Sequence, residues 1–158
     1  MIIREAGEAD CDGYSEVGRL ATEILRRVYR PRDGASGTSF GDKKLIRLVA
    51  VEGEKIVGTV RYYVEDDRIH LIGLMVHPDF HRRGLGKAMI EHLVKLAEEQ
   101  GLKKLSLYTI KETGNVMIFE KMGFSVVREE VDVSWAQSDM FERLTETYME
   151  RIIFVSRT

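Results

Sequence analysis

The stretch HPDFHRRGLGKAM, His77–Met89, closes a strand-like run and opens a long amphipathic pattern, and the rest of the chain is read outward from it. Gly84 and Gly86 can take backbone angles that a residue with a Cβ resists, so several N–H groups can converge on one cluster of anionic oxygens. A helix beginning here aims its positive dipole end and its unpaired first-turn donors at the same point, and Arg82, Arg83 and Lys87 add full charges. The stretch therefore reads as an anion cradle suited to a phosphate-bearing ligand, against the plainer alternative of a solvated turn before a helix. It fits neither common glycine motif. A dinucleotide fingerprint needs glycine where Met89 stands, and a P-loop needs Ser or Thr where Ala88 stands.

Before the cradle, LIRLVAV, IVGTVRYYV and RIHLIGLMV carry the period of strands and are separated by the short turns EGEK and EDD. Strands joined this closely form an antiparallel meander whose third member ends at the cradle. After it, Leu85, Met89, Leu93 and Leu96, flanked by Ile90, Val94 and Ala97, make one broad apolar helix face opposite Lys87, Glu91, Lys95 and Glu98. That helix stops near Gly101, and LKKLSLYT restores a strand, so a right-handed crossover to a parallel neighbour is expected. Asn115 to Met122 reads as a short helix ended by Gly123, and FSVVREEVDV and TETYMERIIFV read as two closing strands.

At the other end, Ile2 and Ile3 open a strand, and Asp10 or Asp12 is placed to cap a helix. Val17, Leu20, Ala21, Ile24, Leu25 and Val28 form that helix's buried face until Pro31 restricts Arg30. Residues 31–43 hold three glycines and no periodicity, the mark of a lid, an acceptor-binding arm or plain disorder. The expectation is a single α/β (α+β) domain over residues 1–158, with a mixed, mostly antiparallel sheet flanked by helices.

Composition narrows the function classes. A formal net charge of −2 argues against a general binder of nucleic acid or membrane surfaces, so any basic site must be local. No apolar run approaches the ~18 residues of a membrane span. The single Cys11 can form no internal disulfide, and the acidic neighbours Glu8, Asp10 and Asp12 disfavour its thiolate. With no signal-peptide pattern at the start, a cytoplasmic setting is the expectation. His77 and His81 are four apart, but Pro78 makes the segment a loop, so no metal is expected.

Two strings together resemble the GNAT superfamily of N-acetyltransferases, which use acetyl-coenzyme A. The family's signature has Gln or Arg, two free positions, Gly, one free position, then Gly or Ala. Here it is His81-Arg82-Arg83-Gly84-Leu85-Gly86, which departs at its first position. A second signature, an Asn ahead of a YEKLGF-like string, is similar to Asn115 followed by Phe119-Glu120-Lys121-Met122-Gly123-Phe124. The resemblance implies that the glycine loop and Lys87 hold the coenzyme pyrophosphate. It also implies that the backbone of Leu74, Met75 and Val76 pairs with the pantetheine arm like an added strand, which requires an open strand edge. Asn115 would touch the same arm, and a helix cap would explain it equally.

The implied activity is transfer of an acetyl group from acetyl-coenzyme A to a primary amine of a small molecule or protein. The alternative is a non-catalytic acyl-coenzyme A sensor or interaction module. An ordinary alkylammonium, of pKa ~10.4, must lose a proton first. Many members place Glu or His on the fourth strand as the base. The matching position is His70, whose ordinary pKa near ~6.5 suits the role, and alternation sets Ile72 and Leu74 on its face. The alternative for His70 is a partly exposed strand histidine. The family's usual acid, a tyrosine, is replaced by Phe119, which leaves Tyr108 as a substitute if its side chain turns toward the coenzyme. A hydrophobic edge on the last strand would allow a homodimer.

Overall fold

The computed structural model describes residues 1–32 and 43–153, so most of the 31–43 loop and the last five residues of the chain lie outside the described residues. Its strands are β1 (Ile2–Glu5), β2 (Arg30–Pro31), β3 (Ile46–Glu52), β4 (Lys55–Glu65), β5 (Arg68–Val76), β6 (Lys104–Ile110), β7 (Ser125–Val131), β8 (Ala136–Gln137) and β9 (Thr145–Ile152). The helices are α1 (Cys11–Arg26), α2 (Leu85–Glu99) and α3 (Asn115–Lys121). Seven strands form one sheet in the order β1-β3-β4-β5-β6-β9-β7, while β2 and β8 pair separately. The sheet is mixed: β5 and β6 run parallel across the α2 crossover, and its other neighbours are antiparallel.

The core lies where the amphipathic pattern of α2 predicts it. Met89, Ile90, Leu93 and Ala97 are fully buried against Val57, Val60, Ile69 and Leu105. At about 1.5–3 kcal/mol per fully buried large apolar side chain, this contact holds the start of α2 firmly against the ends of β4 and β5. Its last turn ends at Gln100, and Gly101 takes the left-handed angle that lets the chain reverse.

Three expectations need correction. The first helix ends at Arg26 rather than near Pro31, which instead pairs in β2 with Ala136. Asp10 stands at the start of α1 but makes no capping bond there. Its carboxylate takes the Gly7 N–H at 2.6 Å and the Arg4 guanidinium at 2.7 and 2.9 Å, which ties β1 to α1. The last strand offers no edge for a dimer, because β9 is inserted between β6 and β7, and β7 forms the border.

Candidate active site

The sheet opens at β5 and β6, the one parallel pair among the described residues. β5 and β6 are joined at Arg68–Lys104, Ile69–Leu105 and His70–Ser106, and beyond those residues they have no register. A bulge in β5 accompanies the divergence. Thr59 faces Met75 and Arg61 faces Ile72, so Val60 alone opposes Gly73 and Leu74. Gly73 has φ +69°, a conformation that costs any other L-residue about 1–2 kcal/mol. An extra residue bends its strand and strengthens the local twist, which turns the end of β5 away from β6. The backbone of Leu74–Val76 therefore keeps a side free of ladder bonds, as an added strand requires.

The bulge also reverses the faces that alternation assigned. Met75, not Leu74, lies on the His70 and Ile72 side, shared through the register with Tyr63, Arg61 and Thr59. Leu74 and Val76 turn toward α2 and lie about 4 Å from where a Cβ on Gly86 would sit.

The cradle forms beside this opening. Gly84 caps α2 with φ 74°, and the first helical bond runs from the Ala88 N–H to the Gly84 carbonyl at 2.9 Å. The N–H groups of Leu85, Gly86 and Lys87 precede that bond and have no helical acceptor. A Cβ on Gly86 would come within 3.2 Å of Met122 Cε, so glycine lets α2 approach α3. Arg82 also holds a positive φ, of 65°, which is strained for an arginine and curls the loop back on the helix start. The resulting pocket is lined by His81, Arg82, Gly84, Leu85, Gly86 and Lys87, closed by Val76, Asn115 and Phe119.

The two departures from the simplest cradle have visible causes. The Arg83 guanidinium lies 4.9 Å from the centre of the Phe80 ring and does not line the pocket. The His81 ring is bonded to the Val76 carbonyl at 3.1 Å, tying the loop to the end of β5. His77 is buried and accepts the Asp79 N–H at 3.1 Å, so the two histidines serve different local bonds. The cap at α3 is made by Thr113 Oγ1, which accepts the Asn115 N–H at 3.2 Å. Among the described residues the Asn115 side chain has no protein partner, and it lines both the cradle and the neighbouring cleft.

That cleft continues into the opened strands. It is lined by Leu71, Gly73, Leu74, Met75, Leu107 and Tyr108, roofed by Tyr29 and Trp135, and reached by Glu146. Leu74, Asn115 and Phe119 belong to both cavities, which makes the two one continuous site.

His70 sits at the apex where β5 and β6 part. It is only 7 % exposed, bonded through Nδ1 to Ser106 Oγ at 2.8 Å and packed against the rings of Tyr63 and Tyr108. It is therefore no partly exposed strand histidine, and its pKa is not the ordinary one. Burial, with the charges of Arg68 and Lys43, pushes it down to about 4, because the imidazolium loses its hydration there. Tyr108 lines the cleft, but its hydroxyl accepts from Arg128 at 3.1 Å. Phe119 stacks edge-on against Phe124 and offers no proton.

Residues that the sequence reading did not single out complete the cleft. Gly73 could have been found, since a glycine inside an alternating strand marks a bulge. Trp135 reaches the site through the β2–β8 pair, where its carbonyl accepts the Arg32 N–H at 2.9 Å and its ring meets Tyr29 edge-on at 6.0 Å. Glu146 arrives because β9 lies next to β6. Glu146 belongs to the acidic stretch 142–150, which by its charge alone could attract a cationic amine but reads more simply as a solvated face, and no local pattern signals Trp135.

A phosphate-ready helix start set against a parted strand pair defines a class: mixed α/β domains that lay an extended, phosphorylated ligand along a sheet opening. The Acetyltransferase (GNAT) family model matches residues 16–124, and the chain belongs to that family. The ribosomal protein bS18-alanine N-acetyltransferase of Salmonella typhimurium is 29% identical over 91 residues, 56% of this chain and 62% of that protein. Its Escherichia coli K12 counterpart is 33% identical over 60 residues, covering 37% of this chain and 40% of that protein, so the chain spans less than two thirds of the length of either relative. The crystal structure of the Escherichia coli ribosomal-protein-S18-alanine N-acetyltransferase superposes with a TM-score of 0.74 at 19% identity, covering 99% of this chain and 96% of that one. An aminoglycoside 6'-N-acetyltransferase complexed with coenzyme A gives 0.72 at 15% identity, with full coverage of both chains. These likenesses show the fold.

Proposed function

We propose that the chain is an acetyl-coenzyme A-dependent N-acetyltransferase that passes an acetyl group directly to a primary amine. The observation that carries this reading is the continuity of the α2 cradle with the opened β5–β6 edge, since one extended ligand with phosphates at one end and an amide-bearing arm at the other fits both. The donor-rich first turn and the close approach at Gly86 suit the pyrophosphate. Bound there, acetyl-coenzyme A would supply an activated thioester. Leu85, Gly86 and Lys87 would donate backbone N–H groups, Arg82 and Lys87 would add charge, and His81 would keep the loop against β5. The open edge of Leu74–Val76, where the Val76 carbonyl is already bonded to His81, and the Asn115 amide would orient the arm.

Proton handling falls to the apex of the opening. A buried imidazole near pKa 4 is neutral at pH 7 and holds a proton poorly, so His70 acts as a relay rather than a store. Ser106 Oγ is bonded to His70, and on the neighbouring strand the Tyr148 hydroxyl donates to Glu150 at 2.8 Å. His70 is not itself among the residues lining the cleft; it packs against Tyr108, which is, so a proton from the acceptor would reach it through water. Phe119, at the family's tyrosine position, has no proton to give; the Tyr108 hydroxyl accepts from Arg128 and keeps its own proton, so it would be the acid, and a thiolate of pKa roughly 8.5 is a tolerable leaving group without it.

The acceptor is a primary amine, whether of a small molecule or of a protein terminus. The named activity of the bS18-alanine N-acetyltransferases favours the second. Mixing purified protein, acetyl-coenzyme A and a panel of primary amines and alanyl peptides should release free thiol only when protein and amine are both present. Tight coenzyme binding with no release for any acceptor would replace this reading by the acyl-coenzyme A sensor.

A further inference from the structure

The cleft between α1, the parted strands and β8 has a wall that coenzyme binding does not explain. Its outer half is lined by Thr22, Arg26, Tyr29, Tyr108, Trp135 and Glu146. Three of these are aromatic and one is a carboxylate, the combination that recognises an ammonium through ring quadrupoles and a counter-charge. Glu146 faces Ile110 on β6 and Glu130 on β7, and no cation of the described residues pairs with it. Burial and the charge of Glu130 raise its pKa, and the Trp135 indole N–H offsets this only in part. A half-buried carboxylate beside a like charge gains from an incoming cation. Arg26, the wall's cation, lies 5.4 Å from the centre of the Tyr29 ring.

We propose that Glu146, within the aromatic wall of Tyr29, Tyr108 and Trp135, is the specificity-determining anchor that binds the acceptor as its ammonium ion before transfer. This rests on the transfer reading above, and it adds that the cleft selects cationic primary amines over neutral molecules of the same shape. Glu146 is then a positioning residue for the acceptor.

Trp135 is the chain's one tryptophan and stands in the wall, so its fluorescence reports occupancy. Coenzyme A-loaded protein is titrated with hexylamine and, separately, with hexanol, which has the same chain and no charge. Hexylamine should change the emission saturably and hexanol should not. Glu146→Gln, which keeps the shape and relieves the repulsion from Glu130, should weaken hexylamine tenfold or more while thermal stabilisation by coenzyme A stays unchanged. Raising salt from about 0.02 M to about 0.5 M should weaken hexylamine binding to the unsubstituted protein several-fold, a readout that needs no variant. Equal binding of hexanol, affinity within twofold in Glu146→Gln, or independence of salt would each overturn the proposal. Stabilisation by coenzyme A is read separately: hexylamine binding through Glu146 without it would leave the anchor standing and sink the transfer reading.

Discussion

His70 gives the sharpest link between the structure and a measurable quantity. In the unfolded chain its pKa is about 6.5, and in the folded protein burial pushes it to about 4. The unfolded state therefore binds a proton that the folded state refuses throughout this window. Stability is full above about pH 6.5, falls as pH drops toward 4, and levels off below that. A gap of about 2.5 in pH, at about 1.4 kcal/mol per pH unit, sets a ceiling of about 3.5 kcal/mol, most of it lost by about pH 4.5. His70→Asn keeps a polar group for Ser106 and removes the titration. Urea unfolding at about pH 7 and about pH 4.5 should show the unsubstituted protein losing about 2–3 kcal/mol more than the variant. In the same window the acid limb of kcat/KM should sit near pH 4. Parallel losses in the two proteins, or a limb near pH 6.5 that vanishes in His70→Asn, would refute the buried, neutral imidazole.

Other substitutions test other parts of the site. Replacing Arg82 by Gly should have opposite effects on two readouts: relief of the positive φ adds up to about 1 kcal/mol of stability in a urea melt, while coenzyme affinity falls several-fold in a calorimetric titration. Lys87→Ala should raise the Kd for coenzyme A and lower its salt dependence with kcat nearly unchanged, and a fall in kcat alone would remove Lys87 from phosphate binding. At Gly73 an added Cβ would meet Met75 Cε at an ordinary 3.6 Å, so Gly73→Ala should lose about 1–2 kcal/mol from backbone strain alone, and a neutral result would dispute the bulge. The Arg4–Asp10 pair should loosen in acid: Asp10 is held down to about 2 by Arg4 and the Gly7 N–H, so its contribution is full above about pH 4 and fades as pH falls through 2. An Asp10→Asn melt that follows the parent down to pH 2 would contradict that.

Much of the fold could be read locally. The three meander strands, the α2 face and the two motif strings each depend on side chains a few positions apart, and periodicity captures such distances. The cradle was legible for the same reason, since Gly84 and Gly86 state their backbone needs in sequence. What escaped depends on contacts between distant segments. The insertion of β9 between β6 and β7 is a matter of sheet order, which no strand's own pattern encodes. Trp135 and Glu146 become site residues only through that order and through the β2–β8 pair. His70 was found by position, yet its electrostatics was misjudged, because burial between Tyr63 and Tyr108 is a tertiary fact. The bulge lies between these cases: Gly73 announced it, but reading β5 as an unbroken alternation placed Leu74 on the wrong face.

One continuous site runs from the α2 cradle along β5 into the cleft. A crystal structure of the chain with acetyl-coenzyme A tests it most directly. The pyrophosphate should lie on the N–H groups of Leu85, Gly86 and Lys87, the arm along Leu74–Val76 beside Asn115, and the acetyl group in the cleft facing Glu146. A coenzyme bound away from the start of α2, or an arm that leaves the β5 edge empty, would contradict it.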